Sequence, residues 1–86
     1  MIRIGYNCIA TSKIEYVKFT NNNLSPKIEL YTNNNLLIIS HRDGSLRALE
    51  HLYYHITYAI EGIYPECKLD KAEEYDCFEF FYKSKR

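Results

Sequence analysis

Eighty-six residues provide for one domain, residues 1–86, with a single hydrophobic core and no room for a second substrate-binding domain. Hydrophobic side chains make up 47% of the chain and charged ones 26%, the balance of a folded globular protein, which excludes extended disorder outside a short basic tail at 83–86. Eleven basic and eleven acidic groups cancel, which argues against a general duplex binder held by many phosphate contacts.

No apolar run approaches the roughly 18 residues needed to span a bilayer. Met1-Ile2-Arg3-Ile4-Gly5 lacks the charged-then-apolar layout of a signal peptide, so a cytoplasmic location is expected. Cys8, Cys67 and Cys77 are odd in number and without CxxC spacing; a disulfide framework, a zinc site and a cofactor are not expected, and all three are read as small core hydrophobes.

In chain order, residues 2–10 alternate with period two, Ile2, Ile4, Tyr6, Cys8 and Ala10 against Arg3, Gly5, Asn7 and Ile9, which predicts one half-buried strand. Residues 13–19 predict a second strand that pairs with it as a hairpin across Thr11-Ser12. The segment Thr20-Asn21-Asn22-Asn23-Leu24 recurs as Thr32-Asn33-Asn34-Asn35-Leu36. Asparagine tolerates left-handed angles and bonds its own backbone, so each triplet reads as a turn bracketing a strand from Lys27 to Tyr31. Residues 36–40 are almost continuously apolar, as in a central strand covered on both faces.

Residues 45–62 carry the clearest signal. Leu49, Leu52, Tyr53, Ile56, Ala59, Ile60 and Ile63 recur at helical spacing on one side, Asp43 or Ser45 can cap the start, Gly62 can take the left-handed cap and Pro65 prevents continuation. Residues 66–69 and 76–82 predict two further strands joined by an acidic loop at 70–75. The order ββββαββ gives an α+β domain, a small antiparallel sheet with one amphipathic helix across one face and the other face open to solvent or a partner.

Candidate sites follow from charge and ring placement. Residues 1–47 hold six basic and three acidic side chains and residues 48–82 two basic and eight acidic. Glu66, Asp70, Glu73, Glu74, Asp76 and Glu79 fall within fourteen positions, an expected acidic hairpin that can imitate a phosphate backbone and steer association. Arg47, His51, Tyr54 and Tyr58 lie on the helix side opposite the apolar one, where tyrosines are unusual and can anchor an interface.

Site chemistry is sparse. His51 and His55 have zinc-ligand spacing, but Leu52 stands where a metalloprotease has glutamate, and His41 is the only other histidine. His41, Asp43 and Ser45 sit in one turn, where capping fits better than a catalytic triad. The stretch from Leu37 to Leu52 superficially resembles the turn into the helix of a KH domain, but three residues separate Ser40 from Gly44 and the first glycine of the GxxG loop is missing, so that reading is not adopted.

The expectation is therefore a non-catalytic protein-interaction module, in the manner of a phage-type inhibitor that docks an acidic, tyrosine-bearing surface onto a basic nucleic-acid-binding protein such as a defence nuclease. One alternative is weak single-stranded nucleic-acid binding through Arg42, Arg47 and neighbouring tyrosines. Another is a small enzyme or metal-binding domain using His41, His51 and His55. A homodimer through the open sheet face is the further partnership the layout allows.

Overall fold

The computed structural model describes residues 1–21, 24–63, 66–69 and 75–84. Its elements are β1 (Ile2–Ile4), β2 (Asn7–Ile9), a 3-10 turn at Thr11–Lys13, β3 (Ile14–Thr20), β4 (Lys27–Thr32), β5 (Asn35–His41), α1 (Leu46–Ile60), β6 (Cys67–Leu69) and β7 (Phe78–Ser84). They form a four-stranded antiparallel sheet, β3-β4-β5-β7, and a three-stranded sheet, β2-β1-β6, with one helix. The α+β class and the helix packed on a sheet agree with the sequence reading.

The helix is set by its caps and its apolar stripe. Ser45 Oγ accepts from the Ala48 amide at 3.2 Å, which satisfies one of the free donors of the first turn. At the other end Gly62 takes φ +81°, its N–H reaches the Ala59 carbonyl at 3.3 Å and the Ile63 N–H reaches Tyr58 at 2.9 Å. That pair of bonds is the Schellman arrangement that closes a helix through a left-handed glycine. Leu49, Leu52, Ile56 and Ala59 are buried and Tyr53 is half-buried, stacked on Phe19 of β3 at 5.2 Å. They meet Ile28, Leu30, Leu37 and Ile39 of the large sheet and Ile2, Ile4 and Cys67 of the small one in a single core. Burial of each Leu or Ile side chain contributes about 1.5–3 kcal/mol.

Several expectations are corrected. The alternating run 2–10 is two short strands, because Gly5 at φ +58° turns the chain and pairs Ile4 with Asn7. Its partner is therefore itself, and residues 14–20 pair instead with β4. Among the described residues five strands, not four, precede the helix. The sheet arrangement is not wholly antiparallel: β6 lies parallel to β1, with Cys67 N–H on Met1 O at 3.0 Å and Gly5 N–H on Leu69 O at 2.8 Å. β6 and β7 belong to different sheets, so they form no hairpin with each other. Ile60 and Ile63, assigned to the apolar side, are exposed: Ile60 closes the last turn at the rim, where it borders a depression with Ile14 and Val17 of β3, and Ile63 lies beyond the helix end. Of the cysteines only Cys67 is buried; Cys77 is half-buried and Cys8 exposed.

The second asparagine triplet makes the β4–β5 turn, with Thr32 Oγ1 accepting the Asn35 amide at 3.2 Å and donating back to its carbonyl at 3.1 Å. No described asparagine has a positive φ, so the turn is held by threonine and not by left-handed asparagine. Asn22, Asn23 and Pro65 lie outside the described residues.

Candidate interaction surface

Alternation along four paired strands sends one set of side chains into the core and the other to the far face of the large sheet. Register defines that far face. Tyr16 pairs with Tyr31, Tyr31 with Leu36 and Leu36 with Lys83; in the next row Lys18 pairs with Glu29, Glu29 with Ile38 and Ile38 with Phe81. Thr20 with Lys27, and Ser40 with Glu79, extend the surface further. Among the described residues no element covers it: Tyr16 is 54% exposed and Phe81 62%. Leu36 and Ile38 between them are half-buried only by their neighbours. β5 is central as expected, yet covered on one face alone.

The rings on this face are ordered by contacts within it. Tyr16 and Tyr31 stack with centroids 4.2 Å apart and planes 12° off parallel. Tyr31 OH donates to Glu29 Oε2 at 3.0 Å, and that bond to the carboxylate is the main reason the phenol is pushed up to about 12. Glu29 is buried although its register sets it on the outward face. Lys18, Lys27 and Lys83 alternate with Glu29 and Glu79, so the charges on the face are of both signs.

The helix residues singled out from sequence are where the period places them. Arg47, His51, Tyr54 and Tyr58 are all exposed; Tyr54 and Tyr58 lie with ring centroids 6.3 Å apart and planes 22° off parallel. Ser45, Arg47, Ala48, Glu50, His51 and Tyr54 line a shallow depression of about 500 Å³. His51 and His55 meet edge to face at 4.7 Å. Among the described residues no group of three His, Cys, Asp or Glu converges closely enough to hold a metal ion. His41 Nδ1 accepts the Asp43 and Ser45 amides at 3.1 and 3.4 Å, while the Ser45 hydroxyl caps the helix, so these residues build the turn. Arg42 stands in that turn with Nη2 3.8 Å from Cys77 Sγ, on neither the open sheet face nor the tyrosine pair.

The described members of the acidic set do not share one hairpin. Glu66 is exposed just before β6, Asp76 is exposed just before β7, and Glu79 belongs to the open face of the large sheet. Asp70, Glu73 and Glu74 lie outside the described residues. Tyr16, Tyr31, Leu36, Ile38 and Phe81 were missed in sequence, although the signal was present. In residues 36–39 and 80–81 both strand parities are apolar, which marks a second sticky face.

No helix among the described residues is long and apolar enough to cross a membrane. Comparison with protein-family models, curated proteins and solved structures returns no significant match.

Proposed function

We propose that the chain is a non-catalytic protein-interaction module whose contact surface is the open face of the large sheet. The observation that carries this reading is the patch of Tyr16, Tyr31, Leu36, Ile38 and Phe81, spread over two neighbouring cross-strand rows opposite a face already filled by the helix. Contiguous exposed apolar surface rimmed by polar groups marks binding sites, and rigid aromatic side chains are the usual anchors. Interleaved lysines and glutamates suit a protein partner with its own mixed charges better than a polyphosphate strand, which Glu29 and Glu79 would repel. Tyr16 and Tyr31 also spend one ring face each on one another, which leaves less stacking surface for bases. Glu66 and Asp76, exposed elsewhere, would act on association rate more than on affinity.

The experiment is quantitative capture from a native extract with the wild-type chain and with a Tyr16→Ser, Leu36→Thr double variant. Both positions lie outside β7 and outside the core, so the variant should keep the wild-type circular dichroism. Proteins retained by the wild type and lost by the variant support the reading; retention that the variant leaves unchanged removes the face. Capture that vanishes steeply with salt and with nuclease treatment would point instead to single-stranded nucleic acid.

A further inference from the structure

We infer that the outer edge of β7 pairs with the same edge of a second copy of this chain, antiparallel and centred on Phe81. The inference goes beyond the face reading, since it concerns the sheet edge and stands or falls separately. The large sheet ends at β3 on one side and β7 on the other, and the two edges differ. β3 carries a register shift between Ile14 and Tyr16, the kind of bulge that spoils an edge for pairing. β7 runs through seven successive pairs with β5 with no irregularity and contains neither proline nor glycine. Among the described residues no strand pairs with its other side, so between Glu79 and Lys83 the strand presents an edge of outward N–H and C=O groups.

The sequence of β7, Phe78-Glu79-Phe80-Phe81-Tyr82-Lys83-Ser84, is complementary to its own reverse. A two-fold axis at Phe81 sets Phe81 opposite Phe81 of the second copy, Phe80 opposite Tyr82, and Glu79 opposite Lys83. On the open face this gives an aromatic pair flanked on each side by a carboxylate–ammonium pair; on the other face, two aromatic pairs. Sliding the register by two residues in all sets Glu79 opposite Phe81, or Phe81 opposite Lys83, and loses both charge pairs. The axis stands perpendicular to the sheet, so the open faces of both copies stay on one side and join as one eight-stranded surface. Stacking the two open faces on each other would instead take the exposed Lys18, Glu79 and Lys83 of both copies out of water, a costly arrangement.

The test is sedimentation equilibrium over a concentration series for the wild type, Glu79→Lys, Lys83→Glu and an equimolar mixture of the two variants. Both side chains are exposed, and circular dichroism verifies the fold. The wild type should dimerise, and each single variant should raise the dimer dissociation constant at least about tenfold. The mixture should recover wild-type association, because the lysine introduced in one variant then meets the glutamate introduced in the other, while Lys83 of the first still meets Glu79 of the second. Amide exchange across residues 79–83 should slow with concentration in the wild type and in neither single variant. A wild type that stays monomeric throughout overturns the inference, and so does a dimer that neither charge reversal weakens. In the first case capture through Tyr16 and Leu36 can still succeed, and in the second the dimer uses another surface, so the two readings fail distinguishably.

Discussion

Gly5 holds the two-residue turn between β1 and β2, and a Cβ placed there would lie 2.8 Å from the Tyr75 ring at a φ of +58°. Backbone strain of about 1–2 kcal/mol adds to the displacement of that ring, so Gly5→Ala should lower unfolding free energy by about 2 kcal/mol or more. Chemical denaturation measures this, and an unchanged midpoint would mean that the turn is not formed. Gly62 has the same handedness but open space around it, so only the backbone cost applies there. The cysteines separate in a second way. Burial pushes the Cys67 thiol up to about 11, while Cys8 is exposed beside Met1. At neutral pH the exposed Cys8 should be alkylated well ahead of Cys67, which is labelled only as the chain unfolds, as mass spectrometry of the labelled chain would read. The raised Cys67 value also has a sign: the unfolded chain releases that proton at lower pH, so stability should fall as pH climbs from about 9 toward about 11.

At the scale of elements, α1 was legible because its signals agree: a serine cap, a glycine stop and an apolar stripe of period 3.6. Ile56 lies fully buried at the centre of that stripe, and Ile56→Ala should cost about 2–5 kcal/mol; a loss below about 0.5 kcal/mol in denaturant titration would contradict the helix orientation. The strands were legible in place but less so in partnership. Alternation in residues 2–10 is blind to a glycine turn, since Ile4 and Asn7 continue the pattern on either side of it. Pairing of β6 with β1 joins segments far apart in sequence, and nothing local in Glu66-Cys67-Lys68-Leu69 encodes a parallel neighbour. The apolar run at 36–39 reported correctly that both faces of β5 are apolar, but not what covers them; the helix is wide enough for one. The acidic residues illustrate the converse, because nearness in sequence does not make a hairpin: Glu66 precedes a strand of the small sheet and Glu79 lies within a strand of the large one.

The whole molecule then has one filled side and one bare one. The helix and the small sheet complete the core on the inner face of β3-β4-β5-β7, and the outer face keeps stacked tyrosines, a half-exposed aliphatic strip and Phe81 in a field of mixed charge. A second ring pair, Tyr54 and Tyr58, stands on the helix with exposures of 48% and 37%, so the fold offers two competing anchor surfaces on opposite sides. The measurement that decides between them is the affinity of a captured partner for Tyr16→Ala and for Tyr54→Ala, each compared with the wild type by kinetic binding. Tyr16→Ala should weaken binding by about 2 kcal/mol through faster dissociation while Tyr54→Ala changes it by less than about 0.5 kcal/mol; the reverse order would contradict the assignment of the interface to the sheet.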